Sequence, residues 1–96
     1  MQRIIDGIRY DTEKATLIAH DRYWDGHNFE RHGRNTYLYR TANGRYFVHK
    51  TTLWQGERDT IKPVDAEEAR RLYERVLPEH EVAYEDAFPD VEIIDA

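Results

Sequence analysis

The chain has 96 residues, of which 40% are hydrophobic and 34% are charged, so it is predicted to form one small domain over 1–96 with a modest core. It contains no cysteine and no serine, which excludes a disulfide framework, a zinc knuckle and hydrolysis through either nucleophile. The N-terminus lacks the apolar stretch of a signal peptide, and no run approaches the ~20 apolar residues of a membrane span. These features predict a cytoplasmic protein without a membrane partner.

The net charge of −5 is distributed unevenly along the chain. Residues 1–64 carry eleven Lys and Arg against eight Asp and Glu, a net +3, whereas residues 65–96 carry three against eleven, a net −8. Two interpretations fit this asymmetry: an acidic C-terminal helix that offsets a basic sheet within one domain, or two separate binding surfaces. The general rule that charged side chains mostly form solvated faces favours the first.

A short hairpin is the first predicted element. Asp6-Gly7 is a tight-turn dipeptide between β-branched residues, which is typical of a hairpin or of a strand with a bent end. A helix is predicted next, from about Thr12 to His20. Its apolar positions recur at helical spacing: Ala15, Ile18 and Ala19.

The central element is a β-hairpin, because two β-rich runs meet at Asn43-Gly44. A two-residue type I′ loop at this dipeptide would mix apolar and charged groups on both faces. A type I turn with Gly44 in the left-handed position of a G1 bulge would instead pair Arg40 with Tyr46, Tyr39 with Phe47, Leu38 with Val48 and Tyr37 with His49. Aromatic cross-strand pairs contribute roughly 0.2–1 kcal/mol each, so the bulged register is favoured.

The C-terminal half begins with a short strand over 60–64, whose Pro63 lacks a backbone donor and is therefore expected at a sheet edge. Asp65, with Glu68 three residues later, resembles a capping box and predicts a helix over 66–77 that Pro78 ends. Residues 79–88 are expected to add one or two helical turns with three residues inward: Val82, Ala83 and Ala87.

Residues 89–96 leave two alternatives open, a further strand or a loosely ordered tail. Together the elements predict an α+β fold. Its small, largely antiparallel sheet comprises the N-terminal Asp-Gly hairpin, the central Asn-Gly hairpin and the short edge strand, and it packs against two helices.

Several short motifs resemble a pattern found in small bacterial proteins, including proteins carried by phages and plasmids. The motifs are Ile5-Asp6-Gly7, Tyr10-Asp11-Thr12, Leu38-Tyr39-Arg40-Thr41, Gly44 before Tyr46-Phe47, and Ile61-Lys62-Pro63-Val64 before Glu67-Glu68-Ala69. The resemblance covers most of the chain and implies one domain of hairpin, helix, meander and helix. That group has no established activity, so the resemblance implies no catalytic residue.

Residues 21–35 are predicted to form a long irregular loop, because they contain two glycines and no clean hydrophobic period. Loops of this length in a compact domain are usually functional or mobile. The candidate binding residues are aromatic, histidine and arginine side chains of this loop and of the adjoining hairpin: Tyr23, Trp24, His27, Arg31, Arg34, Tyr37 and Tyr39. An equally supported alternative is that the aromatic side chains of the loop pin it onto the core.

Catalytic and phosphate-binding motifs are missing from the sequence, which therefore predicts a non-enzymatic protein-interaction or regulatory module without a cofactor. Its expected partner is another protein, since Tyr, Trp and Arg are enriched at binding hot spots. One alternative is single-stranded nucleic-acid binding through the basic, aromatic segment 22–50, although the acidic C-terminal part opposes a polyanion. Another is an acidic inhibitor from a mobile element that imitates nucleic acid.

His27 and His32 raise the question of a metal site, because Asp25 and Glu30 lie near them in the loop. Their spacing matches no metal-binding motif, and a zinc site needs three or four ligands in tetrahedral geometry. The sequence therefore predicts no structural metal at these histidines. A chelator is expected to leave the melting temperature unchanged, because a metal bound only to the folded state would have raised it. Thermal unfolding with and without EDTA tests this, and a drop of several degrees that zinc reverses would contradict it.

Overall fold

The structure, a computed structural model, describes residues 1–22, 34–52 and 56–96. Its strands in these ranges are β1 (Gln2–Ile5), β2 (Ile8–Asp11), β3 (Thr16–His20), β4 (Arg34–Arg40), β5 (Tyr46–Thr52), β6 (Thr60–Val64) and β7 (Glu79–His80). Its helices are α1 (Ala66–Arg71), which continues into a π-helical segment (Leu72–Val76), and α2 (Tyr84–Ala87).

The strands form two antiparallel sheets. β1 pairs with β2 alone, and the other five strands lie in the order β6-β5-β4-β3-β7. The predicted α+β class with a largely antiparallel sheet is thereby confirmed. Within the described ranges, no helix is long and apolar enough to cross a membrane.

Apolar side chains cover both faces of the five-stranded sheet. The helix-side core consists of Ile18, Ala19, Leu38, Tyr46, Val48, Ala69, Leu72, Tyr73, Leu77, Ala87 and Phe88. The hairpin-side core consists of Tyr10, Phe47 and Ile61, with Ile5, Ile8, Ala15 and Tyr39 packed against them. The helices therefore cover one face, and the β1–β2 hairpin covers part of the other.

The central hairpin has the bulged register that the sequence favours. Its cross-strand partners include Arg40 with Tyr46, Tyr39 with Phe47, Leu38 with Val48 and Tyr37 with His49. The Gly44 amide donates to the Thr41 carbonyl at 3.0 Å, and the Thr41 amide donates to the Arg45 carbonyl at 2.8 Å. Gly44 has a φ of 82°, which is the left-handed position that a G1 bulge requires.

Two further predictions about turns and edges are confirmed. Asp6 and Gly7, at the β1–β2 turn, have φ values of 53° and 76°, which suit a two-residue hairpin loop. β6 is an edge strand of the five-stranded sheet, as the missing donor of Pro63 predicts. The Arg3 guanidinium donates to the Ile61 carbonyl of the same strand at 3.1 Å, so the hairpin also holds this edge.

The predicted helix over Thr12–His20 is wrong, because Thr16–His20 is the strand β3. A β-bulge shifts the register of this strand between Leu17 and Ala19. As a result the consecutive residues Ile18 and Ala19 both lie in the helix-side core. Ala15 packs against the hairpin-side core instead. The helical spacing of these three residues thus arises from two different cores, and pairing with β4 decides the backbone conformation.

The predicted helix over 66–77 is present but changes character after α1. The Asp65 carboxylate caps it by accepting from the Glu68 amide at 2.8 Å. In the π-helical segment, the Leu77 amide donates to the Leu72 carbonyl at 2.8 Å. Leu77 itself is extended, as expected for a residue that precedes proline.

The residues after Pro78 form the short strand β7 and the one-turn helix α2. Ala87 is buried and Val82 is half-buried, as predicted, but Ala83 is exposed because it is the N-cap of α2. Residues 89–96 form neither a helix nor a strand, so the strand alternative for this stretch is not observed.

Gly44→Ala is expected to lower the free energy of unfolding by about 1–2 kcal/mol. The new side chain would have to adopt a φ of 82°, and its Cβ would lie 3.4 Å from the Arg40 guanidinium. Gly44→Asn should recover part of the loss, because Asn tolerates the left-handed region better than Ala. Urea unfolding measures both variants, and a Gly44→Ala protein as stable as the wild type would contradict the bulged turn.

Candidate functional site

Three ring-bearing side chains lie next to one another across the sheet: His20 on β3, Tyr37 on β4 and His49 on β5. Tyr37 is the register partner of both histidines, so the three side chains share one face. The Tyr37 ring centroid lies 5.8 Å from that of His20 and 6.0 Å from that of His49. These three residues, called here the aromatic row, lie on the same face as the hairpin-side core.

One end of the aromatic row is held by Glu81. The Nε2 atom of His20 lies 2.7 Å from Glu81 Oε1, and its Nδ1 atom accepts from the Arg22 amide at 3.2 Å. Because Nδ1 accepts, Nε2 carries the proton and donates to the carboxylate. The Glu81 amide donates to the Ile18 carbonyl at 3.0 Å, which fixes the residue to β3. His20 therefore uses both ring nitrogens in holding the sheet edge.

The other end of the row lies near Asp59. The Nε2 atom of His49 is 3.9 Å from Asp59 Oδ2, which is too long for a hydrogen bond. This nitrogen is buried and has no hydrogen-bond partner among the described residues. Burial lowers the pKa of His49 below its ordinary value of 6.5, and the Asp59 carboxylate opposes this shift. The imidazole is accordingly neutral at pH 7.

A second unpaired polar atom lies on the same face. Asn35 precedes Tyr37 by two positions on β4, so both side chains point to one side of the sheet. Its Oδ1 atom is buried and accepts no hydrogen bond within the described part of the chain. Asn35 faces Thr51 on β5, two positions from His49. Two of the three buried polar atoms that lack a hydrogen-bond partner among the described residues therefore lie on this face, and the third, Arg40 Nε, belongs to the opposite face of β4.

The seven predicted binding residues are only partly placed by the structure. Four of them lie outside the described residues: Tyr23, Trp24, His27 and Arg31. Arg34 is the first residue of β4, and Tyr37 is the centre of the aromatic row. Tyr39 stacks on Phe47 with ring centroids 5.1 Å apart, and it packs against the hairpin-side core.

The predicted bulged register already pairs Tyr37 with His49, and the structure confirms this contact. The neighbours of Tyr37 predicted from the sequence did not include His20 or Asn35. The position of His20 could not be found from the sequence, because it depends on Thr16–His20 being a strand paired with β4.

Among the described residues, the groups around the row are mostly hydrogen-bond acceptors. They include the Asn35 amide oxygen, the carboxylates of Asp59 and Glu81, and the neutral imidazole of His49, whose free nitrogen accepts in one of its two tautomers. In the described ranges, no group of three or more His, Asp or Glu residues could hold a metal ion. The arrangement suits a ligand group that carries hydrogen-bond donors better than it suits a phosphate.

The lowered pKa of His49 makes folding stability depend on pH. At a pH between the pKa of His49 in the folded protein and 6.5, its pKa in the unfolded chain, the unfolded chain binds more protons than the folded protein does. The free energy of unfolding therefore falls as the pH drops below about 6.5. Titration of the His49 ring protons by NMR should give a midpoint below 6.5, and Asp59→Asn should lower it further because the carboxylate raises the pKa. A midpoint at or above 6.5 in the wild type would contradict the burial of this imidazole.

Comparisons of the chain with protein-family models, with curated proteins and with solved structures found no match. The resemblance to small bacterial, phage and plasmid proteins therefore stays a prediction. The function is accordingly inferred from the contacts, burial and charges of the described residues.

Proposed function

We propose that the protein is a non-enzymatic binding module that contacts another protein through the aromatic row and the adjoining Asn35. The observation that carries this proposal is the pair of buried, unpaired polar atoms, Asn35 Oδ1 and His49 Nε2, on neighbouring strands of one face. A buried polar group without a hydrogen bond costs about 1–3 kcal/mol, and such costs are retained mainly where a site serves binding or catalysis.

Tyr37 is the expected anchor of the contact. It is half-buried between two imidazole rings, so its orientation is restricted before a partner arrives. Rigid aromatic side chains lose little conformational entropy on binding and are enriched at hot spots. A partner side chain that donates hydrogen bonds would complete the hydrogen bonding of the Asn35 oxygen beside this ring once contact uncovers that buried atom.

A non-enzymatic role is supported by how the histidines are used. His20 is engaged through both ring nitrogens, and a general base needs a free one. His49 lies 3.9 Å from Asp59, beyond the hydrogen-bond distance at which a carboxylate orients a catalytic imidazole. Packing across the sheet is therefore the better supported role for these side chains.

Single-stranded nucleic acid is the second candidate partner, because the row sets three rings side by side on an antiparallel sheet. Bases stack on such platforms largely regardless of sequence. The carboxylates of Glu81 and Asp59 at the two ends of the row would repel a phosphate backbone, which favours a protein partner.

Asn35→Ala is expected to abolish partner capture without lowering the melting temperature, because its Oδ1 atom makes no hydrogen bond that the substitution could remove. Tyr37→Ala should also lose the partner, whereas Asn43→Ala, at the exposed hairpin turn, is the matched control and should keep it. Trp24→Ala and Arg34→Ala, measured in the same capture assay, test how much the predicted loop over residues 21–35 contributes to partner binding.

Titration of labelled single-stranded DNA and RNA at two salt concentrations separates the two candidates. Micromolar binding that weakens steeply with salt would favour nucleic acid. The proposed contact surface would be contradicted if the wild type and all four variants captured the same protein. These variants are Asn35→Ala, Tyr37→Ala, Trp24→Ala and Arg34→Ala.

A further inference from the structure

A cleft of about 400 Å³ lies between α1 and the C-terminal segment, away from the aromatic row. It is lined by Arg70, Glu74, Tyr84, Glu92, Ile93 and Ile94. Tyr84 is held firmly, because its hydroxyl accepts from Arg70 Nε at 3.0 Å and its ring lies 5.1 Å from that of Phe88. The cleft therefore has a well-packed tyrosine on one side and two isoleucines on the other.

The isoleucines of this cleft are unusually open to solvent. Ile94 is 83% exposed and Ile93 is 49% exposed, although both are large aliphatic side chains. Neighbouring apolar side chains exposed beside polar ones are typical of an interaction site. Burying them against a partner would gain free energy in proportion to the apolar area removed from water.

The charge around the cleft restricts what can cover it. Residues 79–96 carry seven exposed Asp and Glu and no Lys or Arg, and of these Glu92 lines the cleft together with Glu74 of the π-helical segment. Glu81 is instead engaged with His20. Among the described residues, Glu92 and Asp95 form no ion pair, whereas Glu74 interacts electrostatically with Arg70. Arg70 is the one cation lining the cleft, and its guanidinium is directed at Tyr84. A nucleic acid or an anionic membrane surface would be repelled, whereas Lys and Arg side chains would be attracted.

We infer that this cleft is a second interaction surface, separate from the aromatic row, that binds a basic amphipathic segment of another protein. Aliphatic side chains of the segment cover Ile93 and Ile94, and its Lys or Arg side chains lie beside Glu74 and Glu92. The exposed isoleucines supply the affinity, and the acidic surround selects a cationic partner and speeds its approach.

A labelled helical peptide with Lys on one face and Leu on the other is the probe. Fluorescence anisotropy should show binding to the wild type, and Ile94→Ser should weaken it about tenfold. Ile4→Ser is the matched control, because Ile4 is 61% exposed on β1, whose hairpin covers the face of the five-stranded sheet opposite the helices. Glu92→Gln should weaken binding several-fold, and Glu13→Gln, another exposed carboxylate, should not.

A peptide with Ser in place of Leu keeps the charge and should bind at least tenfold more weakly. Equal binding of the two peptides would show that the peptide is attracted by charge alone, which would overturn the proposal. The proposal would also be overturned if Ile4→Ser weakened binding as much as Ile94→Ser does. The remaining possibility is that a second copy of the chain occupies the cleft, and sedimentation of the wild type alone tests it. A dimer that Ile94→Ser dissociates would assign the cleft to a second copy of the chain and overturn the proposal too.

Discussion

The structure depends on the burial of both faces of β5. Tyr46, Phe47 and Val48 are three consecutive buried residues, and consecutive side chains of a strand point to opposite faces. A sheet with this strand near its centre cannot leave one face to water, as many antiparallel sheets do. The C-terminal helices therefore cover Tyr46 and Val48, and the β1–β2 hairpin covers Phe47.

The acidic C-terminal segment is tied to this sheet and to the π-helical segment by tyrosine hydroxyls. Tyr46 donates to the Ala87 carbonyl at 2.7 Å, and Tyr73 donates to the Val82 carbonyl at 2.7 Å. His80 stacks on Tyr73 with ring centroids 3.8 Å apart. These contacts order a stretch whose secondary structure is only a short strand and one helical turn. The acidic side chains between residues 79 and 88 are thereby displayed from a backbone that these contacts hold in place, although few backbone hydrogen bonds hold it.

The two proposed surfaces differ in chemistry for a physical reason. Around the aromatic row, polar atoms are buried and a ring is held between two others, so recognition there depends on geometry and on hydrogen bonds. Around Ile93 and Ile94, the side chains are exposed and the field is negative, so recognition there depends on apolar burial and on charge. A partner for one surface is thus a poor ligand for the other, which is how a small domain could bind two proteins without competition.

Local sequence signals determined the parts of the fold in which neighbouring residues decide the conformation. Gly44 and Asp6-Gly7 specify their turns because few other residues accept a positive φ, and Pro63 specifies an edge because it has no donor. Asp65 specifies a helix start because its carboxylate reaches the Glu68 amide. The pairing of Tyr37 with His49 follows from the turn and was predicted from the sequence.

Tertiary structure alone decided between strand and helix for Thr16–His20, where apolar spacing suited a helix but the hydrogen-bonding edge of β4 was available. The same decision brought His20 to Tyr37 and so completed the aromatic row. The π-helical segment is likewise absent from the local sequence signals, and its spacing is compatible with both Leu72 and Leu77 being buried. Contacts between residues far apart in the chain outweigh the small propensity differences that short apolar stretches carry, and the sequence read locally does not contain them.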